Sequence, residues 1–256
     1  MYILNEKDYI RDVISSGKKP EDITNGYLIK LIAKYYFDKD EDVQNLIDKV
    51  KQKMLDFNIE GYQEYKYAKK IHDICEELYE LETDPIFKEL EYIPIYEKEL
   101  EVVESLPSDR EKKFMFTLYA IARYMNCDGW VNKKDLKGLY EIFKLANVSL
   151  STDKKNALLH DLYTNGYITF AKSIDNMNIH IELGDENDDI AYKINDFENL
   201  GNQYIGNFKK GYKQCKTCGK KIATPNSGRP KLYCDKCAKE INKNKTKERM
   251  KTLRNA

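Results

Sequence analysis

Cysteine is the residue type in this chain whose spacing carries the clearest chemistry. Cys215 and Cys218 form one C-x2-C pair and Cys234 and Cys237 a second, with 15 residues between the pairs. Four thiolates arranged in two such pairs match the tetrahedral, all-sulfur coordination of zinc. Gly219 follows the first pair directly and supplies the left-handed backbone that a two-cysteine turn usually needs. The stretch from Lys220 to Tyr233 is long enough for a hairpin turning at Pro225-Asn226-Ser227-Gly228. Ala238-Lys239-Glu240-Ile241 can begin a helix, placing the second pair at a positive helix end that favours thiolates. Four cysteine ligands leave no open coordination position, so one zinc ion here is expected to be structural and not catalytic.

The same cysteines could pair as two disulfides only in an oxidising compartment. Residues Met1 to Arg11 carry charges where a signal peptide has its apolar stretch. With Cys75 and Cys127 left outside the pairs, the expected location is the cytoplasm. So short a segment has little apolar core, and metal binding would supply most of its folding free energy. The module reads as a zinc ribbon or its treble-clef relative.

Composition bounds the rest. The 256 residues are 41% hydrophobic, enough for one large or two to three small cores. Mean hydropathy is −0.71, and no apolar run approaches the roughly 20 residues needed to span a bilayer, so no membrane partner is expected. A formal net charge of zero conceals a division: residues 209–256 hold 16 Lys/Arg against 3 Asp/Glu, and residues 1–208 hold 27 against 40. The basic end attracts polyanions, nucleic acid first, while the acidic body opposes indiscriminate binding.

The elements that must position this chemistry are mainly α. Residues 1–95 read as a helical domain, with stripes Leu28, Leu31, Ile32, Tyr35, then Val43, Leu46, Ile47, Val50, Met54, then Ala68, Ile71, Cys75, Leu78. Residues 96–190 form a middle domain. Glu97 to Leu106 suggests a short helix closed by Pro107, and Ser108-Asp109 caps a longer one carrying Phe114, Leu118, Ile121, Ala122 and Met125. A helix capped by Asn132 turns Leu136, Leu139, Tyr140, Phe143 and Ala146 inward; the next carries Leu158, Leu159 and Leu162 and ends at Asn165-Gly166. Tyr167 to Phe170 and Asn178 to Leu183 then read as two strands. The acidic run Asp185 to Asp189 reads first as a solvated loop, with the end of this domain as the other reading. Residues 191–212, with Gly201, Gly206 and Gly211 among aromatics, suit a partly ordered connector. Residues 213–256 are the cysteine module and a basic tail expected to be helical or to order on binding.

Three helices followed by a β-hairpin, through Leu158-Leu159-His160-Asp161-Leu162-Tyr163-Thr164-Asn165-Gly166-Tyr167-Ile168, resemble the winged-helix branch of the helix-turn-helix group over roughly residues 108–183. Together with the Lys/Tyr/Asn-rich composition and the terminal cysteine module, the chain also resembles uncharacterised proteins encoded by bacteriophages and prophages of AT-rich bacteria. That resemblance implies phage replication, regulation or host takeover, acting in the bacterial host cytoplasm.

A winged helix implies that its third helix enters the major groove. Here that helix offers Lys154, Lys155 and Asn156 near its start, while Asp153, Ala157, His160 and Thr164 make its outer face a poor reader. The cysteine module makes the stronger nucleic-acid case. Lys220, Lys221, Arg229 and Lys231 surround the expected hairpin and Tyr233 offers a stacking ring. Lys243, Lys245, Lys247, Arg249, Lys251 and Arg254 follow. Lysine outnumbers arginine among them, which points to phosphate contacts and not to bidentate base reading. DNA is the expected partner ahead of RNA.

Enzyme chemistry finds no motif. His72, His160 and His180 are scattered, and H-E-x-x-H, G-x-x-x-x-G-K-[ST] and G-x-G-x-x-G are all absent. His72 and Cys75 lie three apart on one helix, close enough to share a ligand, but a lone pair of this kind reads as partly buried helix surface and not as a second metal site. Between Glu76 and Glu104 there are 11 Asp/Glu and 2 Lys, and Tyr62, Tyr65, Tyr67, Tyr92 and Tyr96 accompany them. This acidic, tyrosine-rich surface supports a competing expectation, an adaptor for host takeover or anti-defence that binds a host protein.

Overall fold

The computed structural model describes residues 2–21, 23–131, 136–172, 177–208, 212–217, 221–223, 232–234 and 237–244, and over these the chain is mainly helical. The backbone divides into two units, Met1–Tyr92 and Ile93–Ala256.

In the first unit, short polar side chains start the helices by accepting bonds from otherwise orphaned N–H groups. Asn5 caps α1 (Glu6–Ser16) and Thr24 caps α2 (Asn25–Tyr36). Asp42 caps α3 (Val43–Asp56), and α4 (Glu64–Tyr79) follows. Helix α2 is the hub: Leu28, Ile29, Leu31 and Ile32 are fully buried, and α1, α3 and α4 all pack against it. The expected stripes on α3 and α4 are inward at Leu46, Ile47, Val50, Met54, Ile71, Cys75 and Leu78. On α2 the expected Leu28, Leu31 and Ile32 are inward and Ile29 and Ala33 join them, while Tyr35 lies exposed with its ring edge-on to Tyr36. The buried face is wider than the stripe because α1, α3 and α4 all pack on this helix.

After α4 the chain returns to the start of α1, where Asn5 bridges Glu89 and the Glu6 N–H donates to the Lys88 carbonyl at 2.8 Å. Glu6 is buried there and accepts from the Tyr27 hydroxyl (2.6 Å), the Lys34 ammonium (3.0 Å) and the Lys88 N–H (3.0 Å). Burial alone would raise its pKa, but these donors outweigh it and hold the carboxyl below the ordinary 4.5. Below that ordinary value the unfolded chain takes the proton first, so the stabilisation present at neutral pH is lost as pH falls through the folded pKa. Thermal melts followed by circular dichroism should show this unit weakening below about pH 4.5. Glu6→Gln should be less stable at pH 7 and flatter along the acid limb; an unchanged acid limb would refute the assignment.

The second unit is organised on α6 (Asp109–Met125), which Ser108 and Glu111 open as a reciprocal cap. Every side chain from Phe114 to Ala122 is buried, so this helix is covered all round where its apolar stripe predicts one inward face. The cover includes β1 (Ile93–Tyr96) and α5 (Glu97–Ser105). It also includes α7 (Leu136–Leu145), whose Phe143 ring lies 4.4 Å from that of Phe114. Helix α8 (Thr152–Thr164) buries Leu158, Leu159 and Leu162 and stops before Gly166, whose φ is +77°. Strands β2 (Thr169–Phe170) and β3 (Ile179–His180) then pair antiparallel. Trp130 bridges to His180 on the other side of β3, which makes three short rungs. Gly129 permits this, since a Cβ there would sit 2.1 Å from the Ile181 carbonyl oxygen.

The segment expected to be a connector is part of this unit's core. Strand β4 (Ile190–Ile194) pairs antiparallel with β1, Ile93 opposite Ile194. Helix α9 (Leu200–Phe208) packs on α6 with Leu200, Tyr204 and Ile205 buried. Phe116 gathers the rings of Tyr192, Tyr204 and Phe208 within 6.2 Å. Gly201 reads as a breaker, yet it is a contact glycine: a Cβ there would lie 1.8 Å from the Ala146 carbonyl oxygen. The acidic run 185–189 therefore does not end the unit. It is an outer loop, tied down where Lys98 meets Asp188 at 2.9 Å and Arg123 meets Glu186 at 3.0 Å.

Candidate metal centre

Strands β5 (Tyr212–Gln214) and β6 (Lys221–Ala223) pair antiparallel, with Gln214 opposite Lys221. Cys215 is the first residue past β5, so it opens the connection between the two strands. The expected turn at Pro225 to Gly228 lies outside the described residues.

The second pair leads into a helix, α10, of which residues 237–244 are described. The Ala238 N–H donates to the Cys234 carbonyl at 2.8 Å, the first bond of that turn. The Sγ atoms of Cys215, Cys234 and Cys237 all lie within 4.8 Å of one another. Thiolates around a tetrahedral ion at ~2.3 Å stand roughly 3.8 Å apart, so the cluster is of the right size for a metal. Cys215 and Cys237 are buried and Cys234 is half-buried. The Cys234 N–H donates to Cys215 Sγ at 3.2 Å, which ties the two cysteine segments together. Ile222 and Tyr233 pack against the sulfurs, which is all the apolar core that the module shows among the described residues. These three cysteines could hold a metal ion. Cys218, the expected fourth ligand, lies outside the described residues.

The other cysteines are not candidates for ligation. Cys75 is fully buried in the first unit, and burial pushes its thiol up to about 11. His72, three residues earlier, faces outward toward Glu76 at 3.3 Å, so the two do not converge on a second metal. Among the described residues the metal-capable cluster is Cys215, Cys234 and Cys237.

The expected nucleic-acid residues fall into three groups. Lys220, Arg229, Lys231, Lys245, Lys247, Arg249, Lys251 and Arg254 lie outside the described residues. Lys221 belongs to β6, Tyr233 is half-buried against the cysteines, and Lys243 is exposed on α10. On α8, Lys154 and Asn156 are exposed at the helix start, but Lys155 turns back over the Tyr140 ring at 4.3 Å from its centroid. That contact explains why Tyr140, expected inward, is partly exposed: its face is covered by an ammonium and not by the core. Of the five tyrosines on the acidic body, Tyr96 is buried, Tyr62 and Tyr67 stack on each other, and Tyr65 is 74% exposed.

No sequence pattern marked the residues that fasten this module's surroundings. Gln203 is buried on α9 and donates to Asp196 and Glu198, fixing the loop after β4 beside the cysteine turn. No apolar periodicity marks such a residue; a buried amide followed by a glycine-rich helix is the nearest signal. No helix among the described residues is long and apolar enough to cross a membrane. Compared with known proteins, the chain matches no family model, and no curated protein or solved structure is significantly similar to it.

Proposed function

We propose that this chain is a non-enzymatic DNA-binding protein of phage or mobile-element type, in which a structural zinc ion organises a basic C-terminal module that holds phosphates. The observation that carries the reading is the concentration of 16 Lys/Arg against 3 Asp/Glu in the segment that contains the cysteine cluster. The donor set is all thiolate, which suits zinc over harder cations. Cys215 directly after a strand and Cys237 on a helix suit a treble-clef module. The order α6, α7, α8, β2, β3, with Trp130 bridging to β3, supports a winged helix in the second unit. Its third helix exposes Asp153 beside Lys154, so it orients the complex more than it binds.

The test is the salt dependence of DNA affinity, measured by fluorescence anisotropy on zinc-loaded protein. Phosphate binding predicts that affinity falls steeply with salt, with a log–log slope of about −0.9 for each duplex phosphate neutralised. Replacing Lys243, Lys245, Lys247 and Arg249 with alanine should make the slope shallower by roughly 3 to 4 units. Affinity independent of salt, or a slope that the four substitutions leave unchanged, would refute the reading.

A second reading is an adaptor that works through protein contacts. It is favoured by Tyr65 and Ile86, exposed by 74% and 82% on the acidic first unit. It predicts a stoichiometric protein partner that survives nuclease treatment and is lost on Tyr65→Ala with Ile86→Ser.

A further inference from the structure

Past α4, residues 86–90 run antiparallel to residues 4–6 at the start of the chain, and their backbone bonds fall on alternate residues. The Lys88 carbonyl accepts from the Glu6 N–H at 2.8 Å, and the Leu90 N–H donates to the Leu4 carbonyl at 2.8 Å. The Lys88 N–H donates to the Glu6 carboxylate at 3.0 Å, and the Ile86 carbonyl accepts from the Lys34 ammonium at 2.9 Å. In extended chain, successive residues turn their N–H and C=O groups to opposite edges. Residues 86, 88 and 90 thus hold the inner edge, and Phe87 and Glu89 face the outer one. Among the described residues, the N–H and C=O groups of Phe87 and Glu89 make no hydrogen bond.

The side chains leave this outer edge accessible. Phe87 packs toward the core of the first unit, with the Lys34 ammonium 5.5 Å from its ring centroid. Ile86 is 82% exposed and Glu89 is exposed. Pro85 has no N–H to offer, so the free donors begin at Phe87. An open edge held straight by bonds on its other side, with an exposed aliphatic beside it, is the arrangement to which an extended peptide adds as a further strand.

Charge selects the peptide. Glu80, Glu82, Asp84, Glu89 and Glu91 are exposed along this stretch, and its one cation, Lys88, is half-buried. The nearby Lys34 and Lys39 ammonium groups donate to the Ile86 and Glu82 carbonyls. Such a surface repels phosphates and attracts lysine and arginine. We infer that the outer edge of residues 85–89 binds an extended basic segment of a partner protein as an added β-strand, with Ile86 against an apolar side chain of that segment. The inference rests on the adaptor reading and names the chemistry of its partner: main-chain bonds to Phe87 and Glu89 supply affinity, and the carboxylates supply the choice of sign.

The experiment titrates full-length zinc-loaded protein into a fluorescein-labelled octapeptide of alternating lysine and valine, (Lys-Val)4, with (Glu-Val)4 as its counterpart. The lysine peptide should bind at least about tenfold tighter, the sum of several exposed charge contacts. Amide exchange followed by NMR should slow at Phe87 and Glu89 on binding and stay unchanged at Lys88 and Leu90. Glu89→Pro removes an outward donor and a charge, and Glu89→Gln removes the charge alone. The proline variant should bind about fivefold more weakly than the glutamine variant, the scale of one hydrogen bond. Thermal melts of both variants check that the unit remains folded, and the exchange readout on the wild type does not depend on either. Binding without protection of Phe87 and Glu89, or equal binding of the two peptides, would overturn the inference. No binding of either peptide would also overturn it, whereas the adaptor reading falls only if no nuclease-resistant protein partner is found.

Discussion

Cys237→Ser is expected to cost the C-terminal module both its metal and its fold. The wild-type chain should bind one zinc ion, measured by metal analysis after dialysis. Structural zinc sites of this kind contribute about 10 to 16 kcal/mol of binding free energy at neutral pH. Divided evenly over four thiolates, that is roughly 3 kcal/mol each, or ~100-fold in metal affinity for one lost ligand. Among the described residues the apolar support around the sulfurs is Ile222 and Tyr233, too little to hold the cysteine turn and α10 in place without the ion. The variant should therefore lose zinc to a modest chelator concentration and lose backbone protection over residues 212–244 in hydrogen exchange. Affinity for DNA should fall in parallel. Cys127→Ser is the matched control, since that thiol is exposed and outside the cluster, and it should change nothing. Retention of a full equivalent of zinc by Cys237→Ser would remove this residue from the ligand set.

The second large effect is expected at a buried ion pair. Glu99 and Arg123 are 1% and 6% exposed at the side chain, and Arg123 reaches Glu99 Oε1 from Nε at 3.0 Å and from Nη2 at 2.7 Å. The pair joins three elements. Glu99 also accepts from the Tyr96 N–H at the head of α5 and from the Gly184 N–H, and Arg123 on α6 donates to the Gly184 carbonyl at 2.6 Å. The Tyr96 ring lies under the guanidinium at 4.6 Å. Arg123→Met would leave a desolvated carboxylate with only N–H donors, a loss of about 3 to 5 kcal/mol. Glu99→Leu combined with Arg123→Met should recover much of that, because two apolar side chains of similar volume leave no buried charge. Urea unfolding of the wild type, Glu99→Leu, Arg123→Met and the double variant forms the cycle, and additive losses would show that the two residues act independently.

The division between what was legible in the sequence and what was not follows the range of the interactions. The cysteine cluster could be read from spacing because each C-x2-C pair brings its sulfurs together within one turn. The cap at Ser108 and the stripes on α3 and α4 were legible for the same reason: their partners are three or four residues away. Helix α6 showed an apolar stripe but not its burial on all sides, which depends on α9 arriving from residues 200–208. That arrival was hidden by Gly201, whose missing Cβ is a packing requirement and not a break. Strand β1 was missed because Ile93-Pro94-Ile95-Tyr96 is four residues long and contains a proline, which argues against a strand until β4 supplies its partner.

Trp130 gives the molecule a built-in reporter. It is the only tryptophan in the chain, and its ring meets that of His180 edge-on, with centroids 5.0 Å apart, where it bridges to β3. Excitation selective for indole therefore observes the second unit and leaves residues 1–92 dark. Far-ultraviolet circular dichroism weights both units, since both are helical. A denaturation curve recorded by the two probes on one sample would separate the melting of the two units, without any label or truncation.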